Sequence, residues 1–182
     1  ITGYPDGYFR PYNNVTRVEA VTMLIRVMGL EERAKEKENA YVDYNTPPDL
    51  TWGRGYIIMG VERGMLDKHS LDRFLVSQPA TRLEVAALLY HALDLEAGGG
   101  SLTFDDAGQI PADYRECVAA MVKNNIMEGL PGNVFGPNDN INRAQMAVLL
   151  TRLMDKGFAD PYPNRRYNGT LASIDPSGLF LA

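Results

Sequence analysis

The sequence predicts an all-α chain of repeated helix-turn-helix units, followed by a short C-terminal β-hairpin. The first observation is a Thr-Arg-x-Glu type motif that recurs at residues 15–19, 80–84 and 141–145. The second is that each copy is followed by apolar residues at i, i+3 and i+7, the spacing of a core-facing helix. The third is that Gly- and Pro-rich turns precede the first and third copies in the same register. Repetition of this kind indicates units that bury their apolar faces against their neighbours.

The composition excludes several classes of protein. The 182 residues carry 18 Lys and Arg against 23 Asp and Glu, and the net charge is -5. No basic stripe of the kind found in nucleic-acid-binding proteins is present, and no apolar run approaches the roughly 20 residues that span a bilayer. We therefore expect neither a nucleic-acid partner nor membrane insertion. One cysteine cannot form an internal disulfide, and no Cys/His cluster, cofactor fingerprint or catalytic pattern predicts a metal, a cofactor or an active site.

The repeats divide the chain into segments. We assign residues 1–30 to the second half of a first repeat, 40–95 to a second repeat and 102–157 to a third. The intervening stretches are a charged, solvated link (31–39) and a Gly-rich joint (96–101), and residues 158–182 form a tail. The first repeat lacks a leading helix and the chain begins at Ile1, so we expect a fragment or a processed product. Alternating apolar residues around a turn predict the tail hairpin, as an edge packed on the helices or the start of another domain.

Each motif copy predicts the N-terminus of a helix. In a capping box the N-cap side chain accepts from the N3 backbone N–H, and the N3 side chain accepts from the N-cap N–H. The pairs in these positions are Thr16 with Glu19, Thr81 with Glu84, and Asn142 with Gln145. We therefore favour a structural role for these groups over a ligand role. The predicted capped helices span residues 16–30, 81–95 and 142–156, and the predicted leading helices span 50–63 and 111–123.

Capping does not require arginine at the first helical position, yet Arg17, Arg82 and Arg143 all stand there. A helix N-terminus favours anions, and a guanidinium adds a planar fork suited to a carboxylate or a phosphate. The alternative is that each arginine pairs with a local Asp or Glu, or is merely solvated. The residues alone leave both interpretations open.

Three further residues are candidates of lower weight. Trp52 lies near the start of a leading helix, where its ring could pack at the helix end or stack on a ligand. Asp43 and Asp106 belong to aromatic-x-Asp motifs and are by default turn or N-cap residues.

Together these residues resemble the S-layer homology family. Its pattern is an aromatic-x-Asp motif, a Trp-led helix, Gly-x-x-Asp-Gly-x-Phe-x-Pro, and Ile-Thr-Arg-Ala-Glu before a second helix. Residues 3–19 match the turn and motif nearly throughout, and the resemblance extends over about residues 1–156. The second repeat departs in its turn (68–74), and the third has Asn142 and Gln145 in place of Thr and Glu.

The resemblance implies a pseudo-threefold, all-helical assembly around a central bundle, located extracellularly at the bacterial cell wall or S-layer. Grooves between adjacent repeats would bind secondary cell-wall polysaccharide, often through ketal-linked pyruvate. Carried over by motif, the three arginines would contact the pyruvate carboxylate. Thr16, Thr81, Glu19 and Glu84 would shape the grooves, with Asp43, Asp106 and Trp52 contributed by neighbouring elements. We expect the groove between repeats two and three to be the most intact.

The leading hypothesis is thus a non-catalytic anchoring module. The main alternative is a scaffold for protein contacts or self-association in a surface layer. An enzyme ranks third, because a glycosidase needs two carboxyl groups flanking a cleft, and the acids here occur in caps, turns and the link.

Overall fold

The structure, a computed structural model, describes residues 3–40 and 52–158, apart from the side chains of Ser70, Asp72 and Arg73. Its α-helices are α1 (Arg17–Val27), α2 (Glu31–Glu36), α3 (Arg54–Glu62), α4 (Leu71–Phe74), α5 (Arg82–Ala92), α6 (Arg115–Lys123) and α7 (Arg143–Asp155). Within the described ranges, strand pairing is limited to isolated bridges. The all-α class is therefore confirmed, while the predicted tail hairpin and Asp43 lie outside the described residues.

The three predicted capped helices are α1, α5 and α7. All three have complete capping boxes, including the neutral one in which Asn142 and Gln145 bond to each other's backbone N–H. Each helix ends one to three residues before its predicted end. Left-handed residues follow the three C-termini, at Gly29, Asp94 and Gly157. A residue with positive φ terminates a helix, and the apolar pattern alone did not locate that position.

Each leading helix packs on the capped helix of the preceding repeat, α3 on α1 and α6 on α5. The charged link differs from the solvated extension that we expected, because residues 31–36 form α2 and pack against α3. Ala34 is fully buried there. A Cβ atom at Gly55 of α3 would lie 1.8 Å from the Ala34 carbonyl oxygen, so the close approach of the two helices requires glycine.

The segments that precede the capped helices form a closed ring of backbone hydrogen bonds. The N–H of Val15 donates to Ile141 O (3.0 Å), that of Ala80 to Val15 O (2.8 Å), and that of Ile141 to Ala80 O (2.9 Å). All three side chains are buried. Helices α1, α5 and α7 each begin two residues after this ring, so the ring brings their N-termini together.

The predicted core stripes lie where the helices meet. Val21 and Leu24 of α1 and Ala86 and Leu89 of α5 are buried. The matching face of α7 has no leading helix over it among the described residues, and there Ala147 and Met154 line an open cleft. No helix in the described part of the chain is long and apolar enough to cross a bilayer.

Candidate functional site

The three motif arginines link successive repeats. Each donates a hydrogen bond from its guanidinium to the backbone carbonyl of the phenylalanine in the turn of the next repeat around the ring. The pairs are Arg17 with Phe74 (2.9 Å), Arg82 with Phe135 (2.8 Å) and Arg143 with Phe9 (2.9 Å). Arg82 and Arg143 are each only 5% exposed. The motif arginines therefore connect neighbouring repeats.

Arg17 is neutralised within the protein. Its Nη2 lies 2.5 Å from Oε1 of Glu84, in a partly buried ion pair. The other carboxylate oxygen of Glu84 accepts from the backbone N–H of Thr81 in the capping box. Local pairing, the second of the two sequence interpretations, thus describes Arg17.

No carboxylate of the described residues forms an ion pair with Arg82. Its Nη2 donates to the backbone carbonyl of Glu128 (2.9 Å), and its guanidinium stands 5.2 Å from the centre of the Phe135 ring. Among the described residues, no acceptor is hydrogen-bonded to the remaining nitrogen, Nη1. Burial lowers the pKa of Arg82 from its ordinary value, and the carboxylates of Asp139 and Asp106 oppose that shift. Arginine stays charged in proteins, so Arg82 is a buried cation without a direct ion pair in the part of the chain that the structure describes.

Arg143 lies against two aromatic rings. The centres of the Tyr4 and Phe9 rings are 4.7 and 4.9 Å from its guanidinium carbon. Such contacts stabilise a cation that has been removed from water.

Two clefts open beside these arginines. Cleft A, about 730 Å³, lies between the first and third repeats, and its polar and aromatic walls include Tyr4, Phe9, Glu19, Arg26, Trp52 and Arg143. Cleft B, about 290 Å³, lies between the second and third repeats, and its polar walls are Arg82, Glu128, Gln145 and Arg152. Repeats two and three thus form a smaller cleft than repeats one and three. Trp52, 48% exposed, contributes to cleft A and not to cleft B.

Cleft A has a polar network at one end. Nε of Arg26 and the hydroxyl of Tyr56 both donate to Oε1 of Glu31, each at 3.0 Å. Burial alone would raise the pKa of Glu31, but the Tyr56 hydrogen bond and the charges of Arg26 and Lys35 together outweigh it and lower that pKa. Glu31 is therefore an ionised partner of Arg26 at neutral pH.

The aromatic-x-Asp motif of the third repeat positions the turn that Arg82 binds. The Asp106 carboxylate accepts from the backbone N–H groups of Phe135 and Gly136, both at 2.8 Å. Phe135 in turn offers its carbonyl to Arg82. Asp106 thus acts through the turn, and both of its oxygens are engaged by backbone groups.

Sequence reasoning missed Gln145, Glu128 and Arg152 as walls of the cleft around Arg82. Gln145 was noted only as a capping residue, and its Oε1 does accept from the N–H of Asn142 (3.0 Å). Arg152 pairs with Glu128 through Nη2 and Oε2, 2.8 Å apart. The repeat register carried a signal for Arg152, because Arg26 occupies the equivalent position in the first repeat and lines cleft A.

Comparison with known proteins finds similarity to one family profile and to surface-layer and anchoring proteins. The profile of the S-layer homology domain matches residues 1–21 and 103–147. A cellulosome-anchoring protein of Acetivibrio thermocellus is 28% identical over 163 residues, which are 86% of this chain and 36% of that protein. The surface-layer 125 kDa protein of Lysinibacillus sphaericus is 27% identical (88% of this chain, 13% of the relative). An S-layer protein of Bacillus licheniformis is 26% identical (100% and 20%).

The chain spans about a third or less of the length of these curated relatives. The capping boxes and the order of the repeats agree with the repeat pattern of the S-layer homology domain, which these matches also indicate. The profile match and these relatives support an S-layer homology domain protein.

Proposed function

We propose that this module binds a pyruvylated secondary cell-wall polysaccharide non-covalently and thereby holds the protein that contains it on the bacterial envelope. Modules of this family anchor proteins at the cell surface, and the chain is associated with the extracellular cell wall. One observation supports the finer claim: Arg82 is a buried cation that lines cleft B, and no described residue forms a direct ion pair with it.

The chemistry of a pyruvate ketal suits this cation. The ketal holds a carboxylate rigidly on the sugar ring, so binding this carboxylate costs little conformational entropy. A guanidinium recognises carboxylates through charge-assisted hydrogen bonds. Apolar wall residues of cleft B, including the exposed Val148, offer a surface for the less polar part of the sugar. The overall negative charge of the protein does not prevent this, because charges act locally at physiological salt.

The proposal includes a pseudo-threefold arrangement of the repeats. It is supported by the backbone ring through Val15, Ala80 and Ile141, and by the three arginine-to-phenylalanine links, which repeat with the same donor and acceptor types. In such an arrangement clefts A and B are equivalent positions in the grooves. They differ because α6 packs on α5, whereas the matching face of α7 has no leading helix over it among the described residues, and because different side chains lie near each arginine.

The module is not proposed to carry catalysis. Family modules of this type are non-catalytic anchors, while some relatives are enzymes through other domains. The acidic groups near the arginines already have structural partners: Glu19 and Glu84 in capping boxes, and Asp106 on backbone N–H groups. A glycosidase needs two carboxyl groups that face a substrate bond.

Cosedimentation with purified Gram-positive walls tests the proposal. Three preparations are compared: untreated walls, walls treated with mild acid to remove ketal-linked pyruvate, and walls stripped of the secondary polymer. We expect saturable binding to the first and loss with the other two. The Trp52→Ala variant separates the clefts, since its binding falls only if cleft A is used. Equal binding to stripped walls would overturn the proposal.

A second candidate, self-assembly, is favoured by the open face of α7 in cleft A, where Ala147 and Met154 are only partly buried. Sedimentation velocity without glycan tests it. Concentration-dependent dimers that Ala147→Glu abolishes would support this candidate, and a monomer at every concentration would exclude it.

A further inference from the structure

The repeat position that faces Arg17 is occupied by a different residue type in the cleft of Arg82. Opposite Arg17 this residue is Glu84, whose Oε1 lies 2.5 Å from Nη2 of the arginine. The position of Glu84 in the second repeat is occupied by Gln145 in the third. Arg82 and Gln145 line the same cleft. One exchange, from a carboxylate to an amide, therefore distinguishes the surroundings of the two arginines.

The capping box fixes the orientation of that amide. Oε1 of Gln145 accepts from the backbone N–H of Asn142 at 3.0 Å, because only the carbonyl end of the amide can accept from a backbone N–H. The other end is therefore an NH₂ group, a donor. In the register of the capping boxes it corresponds to the oxygen with which Glu84 neutralises Arg17. No acceptor among the described residues is hydrogen-bonded to this NH₂ group.

We propose that Gln145 determines which groove accepts an anion: its side-chain NH₂ and the Arg82 guanidinium form a two-donor site for a carboxylate in cleft B. A glutamate at this position would pair with Arg82, as Glu84 pairs with Arg17, and would occupy the site. This inference rests on the proposed function, and it identifies Gln145 as the residue that makes the cleft select a negatively charged ligand. In the groove between the first two repeats, the protein supplies its own carboxylate in place of the ligand's.

The Gln145→Glu variant tests the role of Gln145 directly, because we expect it to preserve the fold. Glutamate completes the capping boxes of α1 and α5, so it can do the same in α7. The matched control is Glu84→Gln, the same exchange in the opposite direction, which also keeps the capping hydrogen bond. Thermal unfolding of both variants verifies that each remains folded.

The binding probe is a methyl glycoside that carries a 4,6-linked pyruvate ketal, compared with the same glycoside without the ketal. Isothermal titration calorimetry measures affinity, and two-dimensional ¹H–¹⁵N spectra follow the Gln145 NH₂ signals, identified by their loss in Gln145→Glu. We expect the ketal sugar to shift those signals. We expect Gln145→Glu to weaken binding by about tenfold or more, because it places a negative charge beside that of the ligand. Glu84→Gln is expected not to weaken it.

The outcomes separate the two claims. If the unaltered protein binds the ketal sugar and Gln145→Glu binds it equally well, the inference about Gln145 is overturned while the proposed function stands. Ketal-dependent binding that leaves the Gln145 NH₂ signals unmoved also overturns the inference. If the unaltered protein binds neither the ketal sugar nor untreated wall, the proposed function fails, and the inference fails with it.

Discussion

Replacing Arg82 with alanine tests whether the motif arginine is a structural link between repeats. The substitution removes the hydrogen bonds from Nε to the Phe135 carbonyl (2.8 Å) and from Nη2 to the Glu128 carbonyl (2.9 Å). It also removes the contact between the guanidinium and the Phe135 ring. The second and third repeats lose a direct connection near the start of α5.

The magnitude follows from these contacts. A hydrogen bond from a charged donor contributes about 1.5–3 kcal/mol, and a buried acceptor left without a partner adds to the loss. In the variant, water that enters through cleft B donates a hydrogen bond to the Glu128 carbonyl and recovers part of the lost stability. The variant also no longer has the desolvation cost of a buried cation, which opposes the loss. We expect a net decrease of about 3 kcal/mol in the free energy of unfolding. For a domain of this size that corresponds to a fall in Tm of roughly 6–12 °C.

Urea and thermal unfolding followed by circular dichroism measure the change. The matched control is Arg10→Ala, which removes an arginine whose ion pair with Asp6 is about half exposed. Exposed pairs contribute about 0–1 kcal/mol, so this variant should unfold nearly as the unaltered protein does. If Arg82→Ala also stays within about 1 kcal/mol of the unaltered protein, the structural role of Arg82 is refuted. Loss of glycan binding in that variant would then report on ligand contact alone.

Three more predictions concern other parts of the fold. Thr81→Ala removes the N-cap of α5 and should cost about 1 kcal/mol by urea unfolding, while Thr81→Ser should retain most of that stability. Gly55→Ala places a Cβ atom 1.8 Å from the Ala34 carbonyl oxygen. The resulting displacement of α2 from α3 should lower the free energy of unfolding by about 1–3 kcal/mol, and an unchanged Tm would contradict the observed packing. Burial raises the pKa of the Cys117 thiol to about 11. Because the thiolate is the reactive form, Ellman's reagent at pH 8 should label Cys117 slowly in the folded protein and rapidly in urea.

The local structure was predictable because its signals are local. A capping box involves residues three apart, so Thr16 with Glu19 could be read directly from the sequence. The neutral box of Asn142 and Gln145 followed from the same hydrogen-bonding logic and is confirmed. The charged link was harder, because the small residues that let α2 pack on α3, Ala34 and Gly55, lie far apart in the sequence.

The partners of the arginines were not predictable, because they come from the next repeat. Arg17 meets Glu84 across 67 residues, and Arg82 meets the Phe135 carbonyl across 53. Sequence reasoning left ion pairing and anion binding open for all three arginines. The structure shows an ion pair for Arg17, whereas a ligand role for Arg82 remains a proposal. The motif around each of these two arginines is the same, so the difference arises in the next repeat, which places Glu84 beside Arg17 and Gln145 in the cleft that Arg82 lines.

A repeated motif that builds the fold in every copy cannot by itself specify which copy binds. Where Thr, Arg and Glu all occur, they cap a helix and join it to the next repeat. The carboxylate that completes the cap can also neutralise the motif arginine of the preceding repeat, as Glu84 does for Arg17. On the inference proposed above, an anion binds at a position where the cap is kept and the carboxylate is lost. Gln145 meets both conditions, because an amide has an acceptor for the cap and a donor for a ligand. By this argument the departure of the third repeat from the motif, which in the sequence resembles a weakened copy, is the feature that leaves Arg82 available.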